Sequence, residues 1–401
     1  MRRLIIKNLG PIKHIDININ KVNVFMGPQS SGKSTIAKVI SFCTWLDKQR
    51  NNDTVYKNAY RRLAVYHRLE SYFTLDTEII YYGENIVYIY KEVYLEEYIE
   101  TTKGYTLIWR GEKDRVYNKG SLTNNPKVIY IPAERNFVSS VPNLSDYAED
   151  DDNLLDFVKS WYDAKRKYTK STSLNILNLG VNYFTEDGVS DNIVLDSGKT
   201  LALASSSSGI QSIVPLFLLV NWLSKGIYEN QKPYSHIETK RLEELLENLS
   251  ETTSKEIEVL RERLMSFVSG RIYTHTQFII EEPEQNLFPE TQKELLYYLI
   301  SSLNHGKNHD LVITTHSPYI LYAINNCMLG YVVKDNISED DNEIKSFNEA
   351  WISPETVSIW ELRDGEVACI QDKDSGLIKG NYFDKIMNNI IADFRNLLNY
   401  Y

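Results

Sequence analysis

The chain has 401 residues, 42% of them hydrophobic and 24% charged, with a formal charge of −10. That length supports one large or two ordinary domains with well-buried cores. The acidic balance excludes a protein that coats nucleic acid through its whole surface, although it leaves a local basic groove open. Cys43, Cys327 and Cys369 lie far apart with no metal-ligand spacing, which excludes a disulfide framework or zinc module and makes a cytoplasmic location the expectation. No apolar run approaches the roughly 18 to 20 residues of a membrane span. Ile213–Leu223 is the most apolar segment and reads as a buried helix.

In chain order, Arg3–Leu9 reads as a strand turning at Gly10-Pro11. His14–Met26 reads as a second strand, with Ile15, Ile17 and Ile19 alternating before a continuous apolar run. Ser34–Leu46 follows at helical spacing, and Tyr72–Val128, rich in Tyr, Ile, Thr and Val, reads as an antiparallel meander. Lys127–Asn136 is one buried strand stopped by Pro132, and Leu144–Tyr168 is helical, acidic at its start and basic at its end. Val181–Leu195 reads as a hairpin turning at Asp187-Gly188. Lys240–Phe267 carries two apolar helical faces, too short for a long coiled coil. The near-continuous apolar runs ending at Ile280 and Thr315 are the kind that parallel sheets bury on both faces. The tail gives a strand pair turning at Asp364-Gly365 and then an amphipathic helix.

Four of these places carry chemistry. Between strand and helix, Gly27, Pro28, Gln29, Ser30, Ser31, Gly32, Lys33, Ser34 and Thr35 match a phosphate-binding loop. Its glycines let backbone N–H groups close around phosphate oxygens, Lys33 reaches the β- and γ-phosphates, and the Ser34 hydroxyl ligates Mg²⁺. Glu281 and Glu282 follow a buried strand, where ligands sit in an open parallel sheet. Glu281 suits Mg²⁺ through water, and Glu282 suits orienting or deprotonating the attacking water. His316 ends another strand and suits a hydrogen bond to the γ-phosphate or that water. Ser205–Gln211 is a serine-glycine turn into a helix, with Ser as a favoured N-cap.

In this order the four elements resemble the ATP-binding-cassette ATPase heads of the RecF, SMC and OLD kinds. The resemblance implies an α/β fold: an ABC-ATPase-like core with a mixed, largely parallel sheet, an inserted antiparallel β lobe and a helical signature lobe. It implies that Ser207, Ser208, Gly209 and Gln211 belong to a signature motif, that Glu281 is the acidic Mg²⁺ partner, Glu282 the catalytic residue and His316 the switch, with Lys33 on the phosphates. Ala133–Arg135 falls where the family senses Mg²⁺ and the γ-phosphate. The sequence departs from the family at Ser208, where a glycine is usual, at Ile210, and at Glu281, where an aspartate is usual. Residues 1–330 form the ATPase domain, with 1–140 holding the phosphate loop and the insertion, 141–272 the signature lobe and 273–330 the acidic strand and switch, while 331–401 completes the head.

The combination of Glu281-Glu282-Pro283-Glu284, Asn286–Pro289 and Thr315–Pro318 looks most like OLD and Septu ATPases. That likeness implies an ATP- and Mg²⁺-using ATPase that dimerises around ATP and regulates a DNA-acting partner, a nuclease in anti-phage defence or DNA repair. DNA contact by the chain itself is left open, and no membrane is involved. A second reading is a non-hydrolysing scaffold that holds an effector protein. The acids Asp372, Asp374 and Asp384 sit in a tail too short for an independent catalytic core, so the effector is expected to be a separate chain.

Overall fold

The computed structural model describes residues 2–49, 53–91, 106–110, 113–119, 124–141, 152–229, 273–338 and 340–401. The helical pair expected at 240–267 lies outside them. The strands are β1 (Arg2–Leu9), β2 (Ile12–Ile19), β3 (Val22–Met26), β4 (Glu78–Tyr82), β5 (Ile86–Lys91), β6 (Thr106–Arg110), β7 (Asp114–Asn118), β8 (Lys127–Ile131), β9 (Leu174–Asn175), β10 (Val181–Glu186), β11 (Ser190–Leu195), β12 (Thr200–Ala202), β13 (Thr276–Glu281), β14 (Asp310–Thr315), β15 (Val357–Arg363) and β16 (Glu366–Cys369). The principal helices are α1 (Lys33–Asp47), α2 (Asn153–Lys165), α3 (Ser208–Asn221), α4 (Pro289–Ser302), α5 (Pro318–Val333) and α6 (Tyr382–Leu398).

A 12-stranded sheet runs in the order β6-β7-β5-β4-β1-β2-β16-β15-β3-β14-β13-β8, and a second sheet runs β12-β11-β10-β9. Five neighbours, β15, β3, β14, β13 and β8, are all mutually parallel. β4, β5, β7 and β6 form the antiparallel part, as the meander reading expects. The fold is therefore α/β with a mixed sheet. The residues between β8 and β13 also hold the β9–β12 sheet, so the lobe bearing the Ser205–Gln211 turn is not helical throughout.

The central strands are buried on both faces because their residues alternate between two cores. Val24 and Met26, Ile129 and Ile131, Phe278 and Ile280, and Leu311 and Ile313 enter one core. Phe25, Tyr130, Ile279 and Val312 enter the other. The second core is capped by α1, whose Ile36, Ile40, Phe42, Cys43 and Leu46 are all buried. Each such side chain contributes about 1.5–3 kcal/mol through burial, which makes the parallel strands a rigid platform for the groups at their ends.

One reading changes. His14–Met26 is not one strand but β2 and β3, broken at Asn20-Lys21. Asn23 Nδ2 donates to the Asn20 carbonyl at 2.8 Å and Asn23 Oδ1 accepts the Asn20 N–H at 3.0 Å, so an asparagine side chain closes the turn. The break lets β2 stay with β1 while β3 crosses into the parallel block. The helix expected over Leu144–Tyr168 starts, within the described residues, at Asn153, where Asp152 caps it by accepting the Leu155 N–H at 2.8 Å. Arg68 also pairs with Asp152. No described helix is long and apolar enough to cross a membrane.

Candidate functional site

The parallel register brings the ends of β3, β14, β13 and β8 to one edge of the sheet. Met26 pairs with Thr315, Thr314 with Glu281, and Ile280 with Ile131. The phosphate loop, the acidic pair and His316 therefore emerge side by side, although about 290 residues of chain separate the first from the last. This edge lies at the carboxyl ends of parallel strands, where open α/β sheets bind ligands.

The loop is held tightly against its neighbour. Gly27 has φ 149°, and a Cβ there would lie 2.4 Å from the Leu362 carbonyl oxygen on β15. Ser30 and Gly32, with φ 58° and 103°, complete the sharp turns into α1. No acidic residue occupies the first turn of α1, so the positive end of the helix is available to an anion. Pro28, Gln29, Ser30 and Ser34 are exposed, while Lys33 and Thr35 are buried. A cavity of about 610 Å³ opens beside the loop, bounded also by Pro11, Lys13 and Arg363. That volume is in the range of small-ligand pockets, roughly 300–1,000 Å³.

Lys33 Nζ donates to the carbonyls of Gly27 at 3.1 Å and Pro28 at 2.7 Å, and to Ser31 Oγ at 3.4 Å. The ammonium is thus held inside the loop by the loop's own oxygens. Burial pushes its pKa down to about 8, against the opposing pull of Glu282, Glu284 and Glu281. Two consequences have definite signs. The unfolded chain binds the extra proton between about pH 8 and the ordinary lysine range, so the empty protein gains stability as pH rises through that window. A phosphate bound at Lys33 favours the charged form, so nucleotide binding at pH 8 should take up about half a proton, falling towards zero near pH 6.5. Binding enthalpies in buffers of different ionisation heat measure this directly.

Glu281 is almost wholly buried, and its Oε1 has no hydrogen-bond partner. Glu282 turns the other way, with φ 41°, and its Oε1 lies 3.5 Å from His316 Nε2. The His316 hydrogen bond, opposed by burial, holds the Glu282 carboxyl below the usual range. It is ionised at neutral pH, as an acceptor of a water proton must be.

Two further residues hold this arrangement together: Glu284, which the sequence reading left without a role, and Arg135, which it placed as a candidate sensor of Mg²⁺ and the γ-phosphate. Glu284 Oε1 accepts from Thr315 Oγ1 at 2.9 Å and from the His316 N–H at 2.6 Å, which ties the end of β14 to the loop after β13. Burial raises its pKa. Arg135 is completely buried and donates to the carbonyls of Glu281 at 2.9 Å, Glu282 at 2.9 Å, Pro283 at 3.1 Å and Ser212 at 3.1 Å. Burial lowers it to about 10, opposed by the three glutamates, so it stays charged at neutral pH. With its donors on carbonyls, Arg135 is a clamp between β13 and α3 rather than a direct contact to a γ-phosphate. The signal available for Glu284 was a third acid two residues after the pair; for Arg135 it was its place just after the buried strand Lys127–Ile131.

The Ser205–Gln211 turn becomes the start of α3. Ser207 is the N-cap and accepts the Ile210 N–H at 3.5 Å. Ser207 and Ser208 are exposed. A Cβ on Gly209 would stand 2.9 Å from the Asn286 carbonyl, so glycine is needed where the loop after β13 crosses α3. Gln211 Nε2 donates to the Ala204 carbonyl at 2.9 Å and the Ser206 carbonyl at 3.0 Å, and its Oε1 accepts from Ser140 at 2.9 Å. Among the described residues, no hydrogen bond or ion pair joins Ser207–Gln211 to Gly27–Thr35. Lys33, Glu281, Glu282 and His316 meet within one chain; the Ser207–Gln211 group does not meet them.

A model of the protein family described as AAA domain matches residues 3–295. The chain belongs to that family. Nucleotide binding is thereby the coarse function of this AAA-domain protein. No curated protein matches the chain. Among solved structures, an SMC head domain from Thermotoga maritima is similar at 11% identity and TM-score 0.39, covering 92% of this chain and 98% of its own. An SMC head bound to the C-terminal winged-helix domain of ScpA has 10% identity and TM-score 0.41 over 93% and 98%. An ATP-binding cassette captured as a dimer with ADP and phosphate has 11% identity and TM-score 0.28 over 93% and 100%.

Proposed function

We propose that this chain is an ATP-hydrolysing head that closes on a second copy of itself around ATP and Mg²⁺. We infer that this cycle regulates a DNA-acting partner, a nuclease in anti-phage defence or DNA repair. The observation that carries the ATPase reading is the gathering of Lys33, Glu281, Glu282 and His316 at one sheet edge. The partner reading rests on the OLD and Septu likeness of the motifs.

The donor set suits magnesium. Ser34 offers an exposed hydroxyl and Glu281 a buried carboxylate oxygen without a partner, both hard oxygen ligands of the kind Mg²⁺ prefers. Among the described residues, no cluster of three or more His, Cys, Asp or Glu side chains could hold a metal, so phosphate oxygens and water would supply the remaining ligands. The bound ion would neutralise charge on the β- and γ-phosphates. Lys33 leaves its carbonyl partners for the phosphates. Glu282 accepts the proton of the attacking water, and His316, hydrogen-bonded to Glu282, fixes the carboxylate's orientation. Ser207, Ser208 and Gly209 of the second copy face the γ-phosphate from the opposite side. In-line transfer needs mainly positioning and charge neutralisation, which these groups supply.

One observation favours the scaffold reading beside this one. The Gln211 amide is satisfied by Ala204 and Ser206 beside it and by Ser140 from a separate segment, and Ser208 stands where a glycine is usual, which weakens the grip on a γ-phosphate. Phosphate release and light scattering with Mg²⁺-ATP separate the two. Turnover together with dimers that form only with ATP, both lost in Lys33→Ala, supports the ATPase. Tight binding without phosphate release selects the scaffold, and a monomer under every nucleotide condition overturns the sandwich. A nuclease co-purifying from the native cell, with activity that depends on ATP and this chain, tests the partner.

A further inference from the structure

Away from the phosphate loop, a second cavity of about 290 Å³ lies between the carboxyl-terminal half of α1, the edge strand β8 and the first turns of α2. Its lining carries four cationic side chains, Lys48, Arg62, Lys127 and Lys159, against two carboxylates, Asp156 and Asp163. Among the described residues of the lining, two positive charges are in excess.

Arg62 pairs with Asp156 at 3.0 Å and stands over the Tyr66 ring at 3.3 Å and Trp45 at 4.9 Å, which fixes its guanidinium in the wall. Lys48 and Lys127 both approach the Tyr273 ring, with their ammonium groups 5.6 Å and 5.9 Å from its centre. Burial, then the like charge of Lys127, push the Lys48 ammonium down to about 8, with Asp156 opposing and Arg62 adding to the fall. A fold that needed no ligand here gains nothing from bringing these ammonium groups together.

The deep wall points the same way. His67 is 2% exposed and its Nδ1 has no hydrogen-bond partner; Asn153 is 4% exposed and its Oδ1 has none. Buried polar atoms are normally paired, and unpaired ones cost about 1–3 kcal/mol each. Burial and the nearby Lys38 and Arg62 keep His67 neutral, so it can hydrogen-bond a hydroxyl without adding charge. The cavity thus has a cationic mouth and a neutral polar floor. Its volume corresponds to roughly ten water molecules at about 30 Å³ each, which is too small for a dinucleotide.

We propose that this cavity binds a small dianionic phosphate ester, its phosphate between Lys48, Lys127 and Lys159 and its hydroxylated body against His67 and Asn153. A phosphate monoester carries nearly two negative charges at neutral pH, matching the excess. The site is separate from the phosphate loop, yet shares α1 and β8 with it. Tyr130 of β8 lines the cavity, and burial, followed by the charge of Glu281, raises its phenol. Occupancy here therefore touches elements that also carry the nucleotide site.

The test is calorimetric titration of the full chain with ribose 5-phosphate, inorganic phosphate and ribose. Ribose 5-phosphate should bind more tightly than inorganic phosphate, and ribose should not bind. Lys48→Gln with Lys127→Gln should weaken ribose 5-phosphate by about tenfold or more, because charge-assisted hydrogen bonds are lost, whereas Lys33→Ala should leave it unchanged. Lys159→Glu, at an exposed position, should give the same loss should the paired substitution fail to fold. Equal binding by wild type and both lysine variants overturns the proposal, as does loss in Lys33→Ala instead, which would place the ligand in the phosphate loop. Inorganic phosphate binding as tightly as the ester overturns the ester assignment. Lysine-dependent binding of an unphosphorylated oligonucleotide overturns the site in favour of a nucleic-acid surface.

Discussion

ATP turnover in Glu282→Gln is expected to fall by about 10²–10⁴, the usual contribution of a positioned general base, while ATP binding persists. The substitution preserves shape at a backbone position, φ 41°, that most side chains avoid, so the loop after β13 keeps its course. What it removes is the charge that accepts a proton. The carboxylate stands 3.5 Å from His316 and is held below its usual pKa first by that hydrogen bond, so the wild-type group is ionised at neutral pH and the amide never is. Single-turnover phosphate release measures the loss, and the lifetime of the ATP-bound dimer should lengthen in parallel. His316→Ala should lower the rate as well, and the double variant should be far from additive, because the two side chains act as one unit. Unchanged release in Glu282→Gln would remove Glu282 from the mechanism.

Arg135→Ala should cost stability of about 3–5 kcal/mol, the range for breaking a fully buried polar network. The guanidinium donates to five carbonyls, on Pro132, Ser212, Glu281, Glu282 and Pro283, and its loss removes the contacts that tie the end of β13 and the loop after it to α3. Arg135→Lys should not rescue, since a single ammonium cannot span carbonyls on both β13 and α3 as a planar fork does. Urea unfolding followed by tryptophan fluorescence reads the loss. Any protein that stays folded should also turn over ATP slowly, because Glu281 and Glu282 are positioned by the carbonyls that Arg135 holds. A variant as stable as wild type would show that the clamp is filled by other donors.

Much of this protein is legible in its sequence because the signals are local. Gly27 to Thr35 announces itself through glycine spacing, Asp187-Gly188 through turn chemistry, and the apolar runs of β13 and β14 through their burial on both faces. The division of His14–Met26 leaves only a shift of phase in the sequence, from Ile15, Ile17 and Ile19 to Val22 and Val24, and the turn itself depends on the Asn23 side chain reaching back three residues. The tail strand was visible, but its place was not: β15 lies beside β3, and its Leu362 carbonyl makes Gly27 obligatory.

The sequence by itself determined the kinds of chemistry present: a phosphate loop, two acids at a strand end and a histidine at another. Only the tertiary structure decided which of them act together. Parallel register, a long-range property set by packing β3, β13 and β14 between two cores, carries Lys33, Glu281, Glu282 and His316 to one edge. Arg135 and Glu284 owe their roles to burial against partners as far as 31 to 148 residues away, and no local pattern encodes a contact of that span.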